Sequence, residues 1–301
     1  MSLSSVVAYF LGGYTALVLA LYMLATVVPS AEFVGRTLAA YISMIICAIY
    51  GVLASIVLRI LGREQIAQWT TGRAFKHVMA LTTGVAFEID DPKEHLETVR
   101  PAVFVGNHQT ELDVLMLGTL FPKYCSVTAK KSLKSIPLLG WFMALSGTVF
   151  IDRKNTRDAR DAMTGAAKEI QQRKQSVYMF PEGTRSYLKE PGLLPFKKGA
   201  FHLAVQAGVP IVPVVVANYS YVLYIKNRVF RSGKIPVKVL DPIPTAGLTA
   251  EDVDELTRTT RELMLKELVA LSQKARNRPF AVPETGGDGV VHASGADVTL
   301  S

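Results

Sequence analysis

Two stretches near the start of the chain carry no charge at all, residues 3–31 and residues 37–58. Each is long enough to cross about 30 Å of hydrocarbon at about 1.5 Å per helical residue. The break between them, residues 29–36, holds Glu32 and Arg36. The pattern predicts a membrane-embedded two-helix segment over residues 1–61. A cleaved signal peptide is the competing reading of the first stretch. Against it stand the lack of Lys or Arg ahead of the apolar run and the second apolar segment that follows. A shallow hairpin held in one leaflet fits the same pattern as a pair of helices that cross.

Downstream the pattern changes. Residues 64–80, with Trp69 and Phe75, are amphipathic and predict a connector over 62–84 that lies on the membrane surface. Beyond it, short apolar runs alternate with helical periodicity. Strands are expected at 85–89, 102–105, 123–129, 148–151, 176–180, 211–217, 223–230 and 237–240. Helices are expected at 110–121, 156–173, 199–206 and 249–275, the last with Thr249 as its cap and four acidic residues behind it. Pro213 points to an edge position or a strand end for its run. The alternation predicts an α/β domain over 85–275, with a central, mostly parallel sheet flanked by helices. Residues 276–301 contain Gly286-Gly287-Asp288-Gly289 and few large apolar side chains, and read as a disordered tail. The run from Ile136 to Met143 is apolar with a proline break, and reads equally as core or as a wall against acyl chains or the bilayer.

Composition sharpens this picture. The chain has 301 residues, is 50% hydrophobic and has a pI near 9.4. Glu32, Arg36 and Arg59 are the only charges in the first 61 residues, so +7 of the formal +8 lies on the remainder. A charge of that size suits an anionic lipid surface or a phosphorylated substrate. Nucleic acid is the other usual partner of a basic chain, but no basic run interleaves with aromatics and the apolar segments argue against it. Arg59, Arg63, Arg73 and Lys76 follow the second segment, which places that side in the cytosol by the positive-inside tendency. The two cysteines, Cys47 and Cys125, lie in apolar runs and read as small buried thiols.

The candidate chemistry sits where apolar runs end. Gly106-Asn107-His108-Gln109-Thr110-Glu111-Leu112-Asp113 follows one expected strand and opens a helix. It sets His108 on the turn and Asp113 about one helical turn on. A carboxylate there can hold one ring nitrogen protonated and leave the other free to take a proton. Phe180-Pro181-Glu182-Gly183-Thr184-Arg185-Ser186 follows a second run. Lys130-Lys131 and Asp152-Arg153 end two more. Strand ends are where open α/β sheets bind ligands, and Arg and Lys suit phosphate oxygens. No G-x-S-x-G elbow is present and neither Cys neighbours a base, which predicts chemistry without a covalent enzyme intermediate.

Asn107-His108…Asp113, Gly147-Thr148-Val149-Phe150-Ile151-Asp152-Arg153, Phe180 to Ser186, and Val209-Pro210-Ile211-Val212-Pro213-Val214 occur in that order. The chain thereby resembles the glycerolipid acyltransferase family, within it the lysophosphatidic acid acyltransferases of the fungal and other eukaryotic type, over roughly residues 85–245. The resemblance implies that His108 is the general base and Asp113 its orienting partner. It implies acyl-CoA as co-substrate, lysophosphatidic acid as acceptor, phosphatidic acid as product and no cofactor or metal. Asn107, Lys130, Arg153, Glu182, Gly183, Thr184, Arg185 and Lys198 are the residues expected to bind substrate. It further implies a phospholipid membrane as partner and residence in the endoplasmic reticulum with the catalytic domain facing the cytosol. The alternatives are another lysophospholipid or glycerol-3-phosphate as acceptor, an acyl-CoA hydrolase using the same base, and a lipid-binding protein without turnover.

Overall fold

The structure is a computed structural model that describes residues 2–152 and 156–277. Two long helices come first, α1 (Leu3–Leu24) and α2 (Ser30–Ile60), followed by α3 (Ala67–Thr83). The α/β part contains β1 (Val85–Asp90), α4 (His95–Thr98), β2 (Val103–Gly106), α5 (Asp113–Leu120) and β3 (Cys125–Lys130). After it come α6 (Leu139–Leu145), β4 (Val149–Ile151), α7 (Thr156–Arg173), β5 (Ser176–Met179), α8 (Gly199–Ala207) and β6 (Ile211–Val216). The chain closes with β7 (Leu223–Tyr224), β8 (Val229–Phe230), β9 (Gly233–Val239) and α9 (Val253–Arg276).

Seven strands form one sheet in the order β1-β9-β6-β2-β5-β3-β4. The run β6-β2-β5-β3-β4 is parallel throughout, and only the β6–β9 pairing is antiparallel. Val103 and Val105 face one layer, packing with Ile170 of α7, Phe201 of α8 and Met264 of α9. Phe104 faces the other, packing with Phe75 of α3 and Leu115 of α5. Successive strand side chains point to opposite faces, so strands covered on both sides read as unbroken apolar runs. That is why 102–105 and 176–180 are legible in the sequence.

Pro213 is not on an edge: β6 lies between β2 and β9. The antiparallel ladder to β9 runs from Val214 to Val216, and beyond it the Leu240 N–H donates to the Pro213 carbonyl. The N–H that proline lacks would serve only the last rung. The expected strand over 223–230 is a tight hairpin, β7 and β8, around a 3₁₀ turn at Ile225–Asn227. The last helix begins at Val253 rather than 249, because Asp252 accepts both the N–H and the hydroxyl of Thr249 and closes a local loop first. Arg276, counted with the tail, ends α9 and pairs with Glu190. The rest of the expected tail from residue 278 lies outside the described residues.

Glu32 and Arg36 do not form a break. They lie in the first turns of α2 as an i,i+4 pair at 2.9 Å, and Arg36 also donates to the Thr83 carbonyl at the end of α3. α2 is buried along one face at Ala31, Gly35, Ala39, Ser43, Cys47, Gly51 and Ser55, one small residue every fourth position. Small side chains at that spacing let helix backbones approach closely. They pack α2 against α3: Ser43 meets Thr82, and the site of a Cβ on Gly51 lies against Thr71. The connector is therefore not free on a surface. α3 is wedged between α2 and α5, with Phe75 and Met79 in the core.

Candidate active site

β2 and β5 are adjacent and parallel, so their carboxyl ends lie side by side. Gly106 closes β2, and the position requires glycine because a Cβ there would overlap the hydroxyl of Tyr178 on β5. The chain then turns through Asn107, His108, Gln109 and Thr110. α5 opens at Asp113 itself, not a turn earlier, since the Thr110 hydroxyl accepts the Leu112 N–H and the Asp113 carboxylate accepts the N–H of Gln109 and Thr110.

Asp113 is 1% exposed and its Oδ2 lies 2.7 Å from His108 Nδ1. The other oxygen, Oδ1, accepts a 2.7 Å bond from Tyr219 Oη. Burial, reinforced by the Asp113 charge, holds the Tyr219 phenol well above its ordinary pKa, so it remains a donor. The carboxylate thus has both oxygens engaged. Its bond to Nδ1 fixes the imidazole tautomer and leaves Nε2 as the free ring nitrogen. The ring stacks on Phe180 with centroids 4.1 Å apart. This pair can accept a proton at Nε2 and spread the resulting charge onto Asp113.

The segment after β5 is tied to the same turn. Ser186 N–H donates to the His108 carbonyl and Tyr187 N–H to that of Gln109. Arg185 follows, with Nη1 3.0 Å from Glu111 Oε1, while Tyr187 donates to that oxygen at 2.6 Å. Arg185 Nε and Glu111 Oε2 are buried with no hydrogen-bond partner, so two charged groups beside His108 have unused capacity. Gly183 has φ +71°, a backbone region that favours glycine. The side chain of Lys197 lies over it, about where a Cβ would be.

The expected substrate contacts separate into groups. Arg185, Gly183 and exposed Thr184 are on the turn that carries the site. Glu182 is buried and faces the backbone: Oε1 accepts the His108 N–H at 2.6 Å and Oε2 the Leu194 N–H at 2.9 Å. Burial pushes its pKa up to about 8, against the pull of those two N–H bonds and the Arg261 charge. Asn107 is likewise buried and exchanges two bonds with the backbone of Val216, so both it and Glu182 shape the turn in place of touching a ligand. Lys198 points away and pairs with Asp254 of α9 at 2.7 Å. Its neighbour Lys197 takes the place next to Gly183. Lys130 ends β3, two strands from β2, or roughly 10 Å at the usual strand spacing. Arg153 lies outside the described residues. Sequence reasoning missed Tyr219, Glu111 and Lys197. Glu111 sits inside the stretch 106–113, but nothing local marks Tyr219, which arrives from beyond β6. Among the described residues, no three His, Cys, Asp or Glu side chains converge as metal ligands do.

A His–Asp pair at the carboxyl end of an inner parallel strand, flanked by a bound arginine turn, is the architecture of an α/β enzyme. An acyltransferase profile matches residues 90–217, which span β2 to β6 and hold every part of this site but Tyr219. The chain belongs to the acyltransferase family. It is 46% identical over 222 residues to the 1-acyl-sn-glycerol-3-phosphate acyltransferase of Saccharomyces cerevisiae, covering 74% of this chain and 73% of that one. It is 39% identical over 218 residues to the human 1-acyl-sn-glycerol-3-phosphate acyltransferase beta, covering 72% and 74%. The fold is similar to the crystal structure of the 1-acyl-sn-glycerophosphate acyltransferase of Thermotoga maritima, with a TM-score of 0.64 at 20% identity over 80% of this chain and 97% of that one.

Proposed function

We propose that the protein transfers the acyl group of acyl-CoA to the free hydroxyl of lysophosphatidic acid, giving phosphatidic acid and CoA. The observation that carries this reading is the His108–Asp113 pair, with Nε2 open and an arginine turn fastened to the same backbone. His108 Nε2 takes the proton of the hydroxyl as its oxygen attacks the thioester carbonyl, and Asp113 balances the imidazolium. The tetrahedral oxyanion then collapses, the C–S bond breaks and CoA leaves with the proton that His108 holds. The N–H groups of His108, Gln109, Thr110, Ser186 and Tyr187 are already bonded to Glu182, Asp113, His108 or Gln109. Those of Glu111, Thr184 and Arg185 are among the N–H groups with no partner among the described residues, and we take the oxyanion donors from that set. Arg185 binds the phosphate of the acceptor, with Lys197 beside it.

The two apolar helices support a membrane-bound enzyme. α1 is only 6% buried over its apolar window. α2, about 46 Å long at 1.5 Å per residue, is packed against α3, whose Arg73 donates to the last carbonyls of α5. A vertical α2 would carry the Arg73 charge into the bilayer with it, which supports a hairpin held in one leaflet with the site at the headgroups. Both lipid substrates then arrive laterally while CoA stays in water. Arg59 and Arg63 after α2 accord with a domain in the cytosol, and endoplasmic reticulum residence follows from the resemblance to eukaryotic members.

The test is CoA release by the full chain in lipid vesicles with oleoyl-CoA, with and without lysophosphatidate, for the wild type and His108→Ala. Release that requires the acceptor and falls by about 10³-fold in the variant is expected for a general base. Release without an acceptor would make the protein a hydrolase. Preference for glycerol-3-phosphate or a choline lysolipid would replace the acceptor but leave the base.

A further inference from the structure

The apolar run from Ile136 to Met143 is divided by the structure. Gly140 and Met143 turn inward, and Phe142 packs on α2 where a Cβ of Gly51 would meet its ring at 2.7 Å. Ile136, Leu139 and Trp141 face outward, with Trp141 56% exposed. A tryptophan and two branched aliphatics exposed side by side mark a surface that meets something. Leu138 between them holds φ +62°, a costly backbone state for a residue with a Cβ, and the turn there separates the proline from α6. Immediately before this patch come Lys130, Lys131 and Lys134, all exposed. Lys131 approaches Asp152 at 3.7 Å and Lys134 lies over the Phe150 ring, which leaves the edge basic.

Continuity identifies the occupant. Phe142 touches α2 at Gly51, and around that point α2 exposes Ile49, Tyr50 and Leu53. Whatever depth this part of α2 reaches, α6 reaches within a helix diameter of it. We infer that residues 130–141 form a second membrane contact, in which Ile136, Leu139 and Trp141 enter the interface of the leaflet that holds α1 and α2 while Lys130, Lys131 and Lys134 meet its anionic headgroups. Trp at the interface and Lys just outside it match the chemistry of that boundary. This inference rests on the reading of α1 and α2 as a membrane anchor. Its consequence is orientation: the hairpin alone fixes one side of the domain, and the α6 contact tilts the carboxyl ends of β3 and β4 toward the lipid.

Trp69 and Trp141 are the only two tryptophans, so Trp69→Phe makes Trp141 the single reporter. The full-length variant is mixed with vesicles of phosphatidylcholine and phosphatidic acid, with and without acyl-chain bromines, and floated to recover bound protein. Blue-shifted Trp141 emission that bromolipid quenches and aqueous acrylamide does not is the expected result. Protein that floats with Trp141 unquenched would overturn the second contact and spare the anchor. Protein that does not float removes the anchor reading, and this inference with it. Trp141→Glu adds a functional readout: transfer to vesicle-embedded lysophosphatidate is expected to fall by about tenfold, with transfer to a short-chain, monomeric lysophosphatidate unchanged. Equal loss on both substrates would mean a structural role for Trp141 and overturn the inference.

Discussion

Two regions along the carboxyl edge of the parallel sheet handle charge in opposite ways. At the ends of β2 and β5, Asp113 and Glu182 are buried and every carboxylate oxygen accepts at least one hydrogen bond. At the ends of β3 and β4, Lys130, Lys131 and Lys134 are exposed, with Lys131 3.7 Å from Asp152 and Lys134 over the Phe150 ring. A buried carboxyl group held by several donors has one geometry, and removing any member leaves the others unsatisfied. An exposed charge keeps its rotamers and is screened by water. The first arrangement suits proton transfer, the second adhesion to an anionic surface. Substitutions at the first should therefore change kcat, and at the second only how substrate is met.

The largest effect is expected from Asp113→Asn. The amide cannot accept from Gln109, Thr110, Tyr219 and His108 at once, and it permits the imidazole tautomer with its proton on Nε2. A fall in kcat of about 10³-fold or more, with KM little changed, follows from the loss of the base. A comparable rise in KM with kcat preserved would mean that Asp113 serves binding, and the contrast between the two sheet regions would break.

Glu182→Gln should come next, at about 10²-fold, because an amide N–H₂ would face either the His108 or the Leu194 N–H and displace the turn. It also has a signature in pH. Burial raises the folded Glu182 pKa to about 8, above that of the unfolded chain. The folded state then holds this proton longer. Its contribution to stability is complete below about pH 4.5 and is lost as pH rises through about 8. Thermal melts from pH 5 to 9 should show this downward component in the wild type and not in the variant. An identical slope in both would mean that Glu182 is ionised throughout.

Tyr219→Phe tests the least visible member of the buried cluster. The ring would keep its edge contact with Phe87, while Asp113 and the Thr110 N–H would each lose a partner. A loss of about tenfold in kcat, about 1–2 kcal/mol of stability and an altered pH–rate profile are expected. A loss of stability alone would make Tyr219 a packing residue only.

These residues differ in how far the sequence exposes them. The apolar runs of β2 and β5 and the turns that follow are local features, so spacing puts His108, Asp113 and Arg185 on those turns, while their roles come from the family resemblance. Tyr219 reaches Asp113 across 106 positions, and no local pattern encodes that. The start of α2 misleads for the same reason. Glu32 and Arg36 look like a polar break until the helix pairs them with each other and α3 brings the Thr83 carbonyl to accept from Arg36. Pro213 looks like an edge residue because the end of the β9 ladder beside it is set by register, a tertiary property. Asn107 and Glu182 are polar residues in functional blocks, and only their partners reveal that they hold backbone.

The smallest effect separates two neighbouring lysines. Lys198 makes an exposed pair with Asp254, both side chains more than half accessible, and such pairs contribute little. Lys198→Ala should leave kcat and KM for lysophosphatidate near wild type and shift stability by less than about 0.5 kcal/mol. Lys197 lies over Gly183 on the turn that carries Arg185. Its replacement by alanine removes a cation next to the phosphate site but touches neither His108 nor Asp113. KM should rise by about fivefold at low ionic strength, with kcat retained, and the difference from wild type should shrink as salt screens the remaining attraction. The reverse assignment, with Lys198 governing KM, would require the α8 end to turn over when substrate binds, since only then could its side chain leave Asp254 for the catalytic edge.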